Sequence, residues 1–229
     1  MQKITIAIDG FSSTDKSTIA KQLAKNLSYA YVDTGAMYRA VTLYAMQNNY
    51  VSTQSFEREE LVKQLDNITL DFKFNAALGF AEMYLNGVNV EREIRTLEVS
   101  NLVSTVSAVP EVRLQLVKQQ QEMGEGKGVV MDGRDIGTVV FPQAELKLFM
   151  TASAKIRAQR RYDELINKGD EVNFEDVLHN VEERDFKDSN RKDSPLIKAE
   201  DAIEIDNSNL SIDAQFEMIL QLVSKVIEK

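Results

Sequence analysis

Short runs of apolar residues alternate along the chain with longer segments in which apolar positions recur at helical spacing. The first run, residues 4–8, precedes a segment in which Ile19, Leu23 and Leu27 are four residues apart. Such alternation is typical of a parallel sheet whose strands are joined by helices. The runs with the character of buried strands are residues 4–8, 29–32, 129–131, 146–150 and 202–205. The pattern therefore predicts an α/β fold with a five-stranded parallel sheet, and a last helix over residues 212–226.

The spacing of apolar residues changes to a period of two between residues 65 and 90. Apolar residues at positions 68, 70, 72 and 74 alternate with polar ones, as in a strand with one buried face. Asn86-Gly87 lies between two apolar runs and is a signal for a type I′ hairpin turn. This region is predicted to form an antiparallel insert beside the parallel sheet. Its aromatic residues, interpreted as packing residues at strand spacing, are Phe72, Phe74 and Phe80.

A densely charged segment of helical character runs from residue 157 to residue 196. It contains the pair Arg160-Arg161 and the run Glu-Glu-Arg-Asp at residues 182–185, and Pro195 interrupts it near its end. On charge alone, such a segment is typical of a solvated helical hairpin. In an enzyme that handles phosphate groups, the same segment would form a lid.

Composition limits the classes of partner. The chain has 229 residues, of which 43% are hydrophobic, enough for one main domain with insertions. A net charge of -9 and a pI of about 4.8 argue against nucleic acids and anionic membranes, which select basic surfaces. Cysteine is absent, which excludes disulfides and thiolate metal sites. Because neither a signal-peptide pattern nor a long apolar stretch is visible, we expect a soluble, cytoplasmic protein.

Residues 6–18 have the pattern of a buried strand, a short loop and a helix that opens on Lys-Ser-Thr. Gly10, Lys16 and Ser17 match the P-loop pattern G-x-x-x-x-G-K-[ST]. In that motif backbone N–H groups bind phosphates, the Lys reaches the terminal phosphates and the hydroxyl binds Mg2+. A loop of Ser and Thr is also compatible with an ordinary capped helix start. The P-loop interpretation assigns ATP binding to Gly10, Ser12, Ser13, Thr14, Asp15, Lys16, Ser17 and Thr18.

Asp15 departs from the P-loop pattern, because it occupies the position of the second glycine. A carboxylate about 4 Å from a phosphate charge would cost on the order of 4 kcal/mol at an effective dielectric constant near 20. Aspartate tolerates left-handed backbone angles better than most residues, so the loop can still form. The side chain can avoid the phosphates by turning toward solvent or by pairing with an arginine of the lid.

Two further polar motifs follow predicted strands. Residues 33–39 read Asp-Thr-Gly-Ala-Met-Tyr-Arg, and residues 132–135 read Asp-Gly-Arg-Asp. Open α/β sheets bind their ligands at the carboxyl ends of the strands. Arg39 and Arg134 carry the planar guanidinium group that suits bidentate binding of phosphate. These motifs therefore indicate a phosphate-bearing ligand at this edge of the sheet.

Four segments together resemble, in order, the signature of the bacterial cytidylate kinases, a family of P-loop nucleoside monophosphate (NMP) kinases. They are residues 33–39, 104–113, 132–138 and 184–191, and the resemblance extends over nearly the whole chain. It implies one P-loop kinase domain over residues 1–229, with an NMP-binding insert at 62–96 and a helical lid at 155–194. It also implies a monomer that phosphorylates CMP and dCMP with ATP and Mg2+.

The resemblance assigns roles residue by residue. Ser104, Arg113 and Asp135 match residues that bind the edge of the cytosine ring, where a carboxylate accepts from the exocyclic amine and an arginine donates to ring acceptors. The positions that match the acceptor-nucleotide site are Thr34, Tyr38, Arg39, Ser104, Arg113, Arg134, Asp135, Arg184, Asp188 and Arg191. The implied catalytic cations are Lys16, Arg134, Arg184 and Arg191, with Arg157 toward ATP and Ser17 toward Mg2+.

Two other hypotheses remain at this stage. Asp15 would permit a protein that binds CMP but is impaired in using ATP, a nucleotide-binding pseudokinase. A P-loop kinase for another small acceptor, such as shikimate, is a third hypothesis. The cytosine-binding set Ser104, Arg113 and Asp135 argues against the third.

Overall fold

The computed structural model describes residues 3–228. Within them the chain forms two compact units, one made of the residues up to Val32 and from Gly124 onward, the other of Asp33–Met123. The strands are β1 (Thr5–Gly10), β2 (Ala30–Asp33), β3 (Leu70–Asn75), β4 (Phe80–Leu85), β5 (Val88–Asn89), β6 (Val129–Gly133), β7 (Leu146–Thr151) and β8 (Ile203–Asp206). The α-helices are α1 (Lys16–Leu27), α2 (Thr34–Gln47), α3 (Arg58–Lys63), α4 (Leu97–Ser107), α5 (Pro110–Gly124), α6 (Ala154–Asn167), α7 (Phe174–Asn190) and α8 (Ile212–Ile227).

A five-stranded parallel sheet organises the first unit, in the order β2-β6-β1-β7-β8. All six residues of β1 are buried, as expected for a central strand of a parallel sheet that is covered on both faces. The predicted parallel sheet is confirmed, and each of the five predicted runs overlaps an observed strand.

Helices α1 and α8 cover β1 with apolar side chains. Ile19 and Leu23 of α1, at the predicted four-residue spacing, are fully buried in one core cluster with Ile6 and Ile8 of β1. Ile219 of α8 belongs to the same cluster. Full burial of such a side chain stabilises the fold by about 1.5–3 kcal/mol before entropic losses, so this cluster anchors the loop between β1 and α1.

The register of the sheet aligns the loops that follow its strands. Asp9 of β1 is opposite Gly133 of β6, and Gly10 is opposite Met150 of β7. The loop after β1 therefore begins beside the loop after β6, at the carboxyl edge where open α/β sheets bind ligands.

The second unit contains α2, α3, α4 and most of α5, together with an antiparallel sheet in the order β3-β4-β5. Leu85 pairs with Val88 across the two-residue turn formed by Asn86 and Gly87. The φ angles of Asn86 and Gly87 are 49° and 81°, both positive as a type I′ turn requires. The predicted antiparallel insert is thus confirmed, while its boundaries at 62–96 stay a prediction.

One packing prediction for this sheet is wrong. Phe74 is 72% exposed, whereas Leu70 on the same strand is buried. The pairing of β3 with β4 continues to Asn75 and Phe80, so the far end of the hairpin extends beyond the buried part of the sheet. The alternation of apolar and polar residues predicts which face of the strand a side chain lies on. It does not predict how far along the strand that face is covered by other parts of the protein.

The charged segment of the first unit forms α6 and α7, whose aromatic residues Tyr162 and Phe174 pack edge to face at 5.9 Å between ring centroids. Its helical character is confirmed, and its proposed extent as a lid at 155–194 stays a prediction. Along residues 3–228, no helix is both long enough and apolar enough to cross a membrane.

Candidate active site

The loop from Gly10 to Lys16 has the shape that a P-loop needs. Gly10 has a φ of +142°, and a Cβ on it would lie 2.0 Å from the carbonyl oxygen of Met150, so no other residue fits. Lys16 Nζ reaches back over the loop and donates to the carbonyl of Phe11 at 2.5 Å and to Thr14 Oγ1 at 3.3 Å. The loop is therefore closed around the Lys16 ammonium group.

Asp15 takes the left-handed conformation that the pattern reserves for glycine, with φ 58° and ψ 14°. Its side chain does not cap α1. Asp15 Oδ2 instead lies 3.0 Å from Nη1 of Arg160 on α6, an arginine of the charged segment. The Asp15 side chain therefore pairs with an arginine of the predicted lid and does not turn toward solvent.

Lys16 is buried, and burial, together with the nearby Arg134 guanidinium, lowers the pKa of its ammonium group to about 7. Burial likewise raises the pKa of the Asp9 carboxyl to about 7, against the lowering effect of two backbone N–H donors. An anionic ligand in the loop would favour the charged form of Lys16. The charges around the loop therefore suit an anionic ligand.

Ser17 contacts a carboxylate at the end of β6. Its Oγ donates to Oδ2 of Asp132 at 2.9 Å, and Tyr31 Oη donates to the other oxygen, Oδ1, at 2.8 Å. A hydroxyl and a carboxylate beside a phosphate-binding loop are the oxygen ligands that suit Mg2+, which completes its shell with phosphate oxygens and water. The residues present therefore fit the implied Mg2+, and Asp132 adds a group that the sequence motifs left unassigned.

The turn after β6 is held by Asp9. Its two carboxylate oxygens accept from the backbone N–H groups of Ile136 and Gly137, each at 2.7 Å. The chain from Ile136 to Val140 forms a single π-helical turn, an arrangement frequent at functional sites. This contact fixes the backbone that follows Arg134 and Asp135.

The predicted cations of the first unit converge on carboxylates of α7 and of the turn. Arg134 Nε donates to Asp188 Oδ2 at 3.0 Å, and Arg191 Nη2 lies 3.8 Å from Asp135 Oδ1. Arg184 is half-buried, and desolvation, followed by the neighbouring Arg134, lowers the pKa of its guanidinium to about 10. Several arginines so close together favour a bound polyanion.

Arg157 of α6 is held by several hydrogen bonds. Its Nη1 and Nη2 donate to Asp185 at 3.0 and 2.5 Å, and its Nε donates to the carbonyl of Ala152 at 2.8 Å. Its guanidinium lies 5.1 Å from the centre of the Phe11 ring in the P-loop. Arg157 therefore lies against the P-loop, and its role toward ATP stays a prediction.

The other predicted acceptor residues belong to the second unit. Thr34 is the first residue of α2, which Asp33 caps by accepting from the backbone N–H of Ala36 at 2.9 Å. The Arg113 guanidinium lies 5.3 Å from the centre of the Tyr38 ring, and its Nη1 donates to the carbonyl of Ser107 at 3.1 Å. Tyr38 and Arg113 are thus brought together by α2 and α5.

Arg39 and Ser104 are two further predicted acceptor residues of the second unit. Arg39 donates to the carbonyl of Ile94 at 3.0 Å and to Ser100 Oγ at 3.4 Å. Ser104 is buried on α4, one turn after Ser100. Helix α4 therefore presents two hydroxyl groups on one face, because residues four apart lie above one another.

Sequence reasoning missed several positioning residues. Arg95 bridges Asp33 at 2.8 Å and Glu91 at 2.7 Å, which links the cap of α2 to the end of the insert. Asn207, after β8, is fully buried and donates to the carbonyl of Thr14 at 2.8 Å. No local pattern identifies the contact of Arg95 with Asp33 or that of Asn207 with Thr14, since these partners are 62 and 193 residues apart. For two other positioning residues, Asp9 and Asp132, the sequence did offer a signal, because each is an acidic residue near the carboxyl end of a strand.

The fold and site define a P-loop kinase. A family model described as "Cytidylate kinase" matches residues 6–225. A cytidylate kinase of Flavobacterium johnsoniae is 66% identical, covering 100% of this chain and 99% of that protein. One of Bacteroides fragilis is 56% identical, covering 100% of both chains. A crystal structure of a protein from Eubacterium ventriosum, 12% identical, covers 98% of this chain and 99% of its own, with a TM-score of 0.51, and shares the fold.

The chain belongs to the cytidylate kinase family. It is a nucleotide-binding transferase of the nucleoside monophosphate kinase class, and ATP is its expected phosphoryl donor as a kinase. The resemblance inferred from the four sequence motifs is confirmed.

Proposed function

We propose that this kinase transfers the γ-phosphoryl group of ATP to CMP and dCMP, giving CDP and dCDP. The observation that carries the proposal is the pairing of β1 with β6, which sets the P-loop beside the turn that bears Arg134 and Asp135. Relatives 51–66% identical to the chain carry the name cytidylate kinase. Phosphoryl transfer requires mainly positioning and charge neutralisation, and these residue types provide both.

In the proposed mechanism the P-loop binds the triphosphate of ATP through its backbone N–H groups. Lys16, whose buried ammonium group has a lowered pKa, is fully charged once phosphate oxygens replace its contact with the Phe11 carbonyl. Arg134, Arg184 and Arg191 neutralise charge on the moving phosphoryl group. Ser17 and Asp132 would hold Mg2+, which would supply further charge neutralisation on the phosphates.

Cytosine recognition is assigned to Ser104, Arg113 and Asp135. A carboxylate accepts a hydrogen bond from the exocyclic amine of cytosine, whereas uracil presents a carbonyl oxygen there and would leave a buried acceptor without a donor. Arg191 Nη2 lies 3.8 Å from Asp135 Oδ1 and places a positive charge beside this carboxylate. Arg184 and Asp188 are assigned to the sugar, and Thr34, Tyr38 and Arg39 to the acceptor nucleotide with Arg39 at its phosphate.

A coupled assay with CMP, dCMP, UMP and AMP tests this assignment. We expect turnover with CMP and dCMP that clearly exceeds turnover with UMP and AMP. A preference for AMP would contradict the proposed specificity. The same assay can measure the requirement for Mg2+.

The relatives lend no support to the pseudokinase alternative, and the pair between Asp15 and Arg160 removes its main motivation. An ATP titration of the wild type beside the Asp15→Gly variant tests it. We expect the two proteins to differ in apparent ATP affinity by less than about tenfold, because the carboxylate is paired. CMP binding without turnover in the wild type, with activity restored by Asp15→Gly, would favour the pseudokinase. The monomeric state and the cytoplasmic location stay predictions from the sequence.

A further inference from the structure

The Asp15 carboxylate is held by one guanidinium. Arg160 Nη1 lies 3.0 Å from Asp15 Oδ2, and the two side chains are only 22% and 25% exposed, so solvent and salt screen the pair weakly. Burial raises the pKa of the Asp15 carboxyl above its usual value, against the lowering effects first of Arg160 and then of Lys16, while Glu164, one turn further along α6, raises it as well. Arg160 is thus the neighbour that most favours the charged carboxylate.

The Arg160 side chain is also held by contacts other than the one with Asp15. Its Nη1 donates to Asn207 Oδ1 at 3.0 Å, and its Nη2 donates to the carbonyl of Asn207 at 2.8 Å. The Asn207 amide donates in turn to the carbonyl of Thr14 at 2.8 Å and to Gln215 Oε1 at 2.7 Å. Asn207 and Gln215 are fully buried. The guanidinium is therefore oriented by α8, by the end of β8 and by the P-loop itself.

We propose that Arg160 is a positioning residue that makes an aspartate workable at position 15 of the P-loop. It turns the Asp15 carboxylate toward α6 and neutralises it, so that the carboxylate does not repel a bound triphosphate. With its charge paired by Arg160, Asp15 can occupy the position that the P-loop pattern reserves for glycine. The inference rests on the proposed use of ATP, and it concerns how this chain tolerates a charge that the pattern excludes.

The test is a double-mutant cycle read by calorimetric titration with ATP and Mg2+. The four proteins are the wild type, Arg160→Gln, Asp15→Asn and the double variant. Asparagine keeps the shape of aspartate and accepts left-handed backbone angles, so Asp15→Asn removes the charge alone. We expect Arg160→Gln to weaken ATP binding by about tenfold in the wild-type background and by less than about twofold in the Asp15→Asn background.

Lys155→Gln is the matched control, because it removes one positive charge from the exposed side of the same helix and should leave ATP affinity unchanged. CMP titration and the thermal midpoint are measured on every variant, since a purely structural role would change them in both backgrounds. Should Arg160→Gln fail to fold, Arg160→Lys replaces it. Lysine keeps the charge that Asp15 needs but cannot contact Asn207 twice, so ATP affinity should stay within about threefold of the wild type while the thermal midpoint falls.

Equal weakening of ATP binding by Arg160→Gln in both backgrounds would overturn the proposal, because Arg160 would then act on ATP or on the fold directly. No weakening by Arg160→Gln in either background would overturn it as well, and so would a loss of ATP affinity clearly beyond about threefold with Arg160→Lys. A wild-type protein that binds no ATP would contradict the proposed function itself. A wild type that binds ATP but lacks the coupling would contradict only the role of Arg160.

Discussion

Asp9 Oδ2 accepts a hydrogen bond from the backbone N–H of Gly137 at 2.7 Å. Asp9 directly precedes Gly10 of the P-loop, and Gly137 follows Asp135 by two residues. A Cβ at position 137 would lie 3.3 Å from the same carboxylate oxygen and 3.1 Å from Lys147, so glycine allows the close approach. One buried carboxylate therefore connects the phosphate-binding loop to the turn that carries the predicted cytosine-binding residue.

The buried Asp9 carboxyl should make stability depend on pH. Its pKa is raised from 3.8 to about 7, so the folded protein binds a proton at this site more tightly than the unfolded chain does. The stability that this group contributes is present below pH 4 and is lost as the pH rises through about 7. We expect the free energy of unfolding of the wild type to fall, relative to that of Asp9→Asn, as the pH rises over this range.

Denaturant unfolding of both proteins at a series of pH values checks this prediction, because titrating groups common to both cancel in the difference. A difference that stays constant from pH 4 to pH 8 would show that Asp9 titrates normally. The same variant should raise KM for CMP more than KM for ATP, since the turn that it loosens carries Asp135.

Arg95→Met should destabilise the second unit. Arg95 pairs with Asp33 and Glu91, and its removal takes away the cation that lies 2.8 Å from the nearly buried Asp33 carboxylate. We expect the free energy of unfolding to fall by about 2–4 kcal/mol. Arg58→Met is the matched control, because its pair with Glu111 is about half exposed and should contribute much less. Urea unfolding curves that shift equally for the two variants would refute the prediction.

Gly10→Ala should be far more damaging than another glycine substitution in the same unit. The added methyl group would lie 2.0 Å from the Met150 carbonyl oxygen, so β1 and β7 could not keep their register. We expect a loss of more than about 4 kcal/mol or failure to fold. Gly126→Ala, where no atom lies within 4 Å of the new Cβ, should change stability by less than about 1 kcal/mol. Thermal unfolding of both variants decides the matter.

Asp135→Asn should weaken discrimination between cytosine and uracil. The change replaces a charged acceptor with a neutral amide, so kcat/KM for CMP should fall by about tenfold to hundredfold. The value for UMP should fall less, because the amide can also donate to a carbonyl. Steady-state assays with both nucleotides test this, with the exposed Asp213→Asn as control. An unchanged CMP-to-UMP ratio would remove Asp135 from base recognition.

The sequence predicted most of the fold because the features involved are local. Spacings of two and four residues distinguish strands from helices, and Asn86-Gly87 specifies its turn through backbone angles alone. The position of Phe74 was not predictable in this way, because its exposure depends on where the rest of the hairpin finds a covering surface.

The amino-acid pattern was sufficient to predict the alternating architecture, the P-loop pattern, the family and the types of residue available for phosphate and base binding. The folded chain was needed to show that Asp15 pairs with Arg160, that Asp9 holds the turn after Asp135, and that Asn207 connects the P-loop to α6 and α8. Asp9 and Gly137 are 128 residues apart, and Thr14 and Asn207 are 193 residues apart. Burial and hydrogen-bond geometry select such partners among many equally charged side chains, and neither quantity exists until the chain has folded.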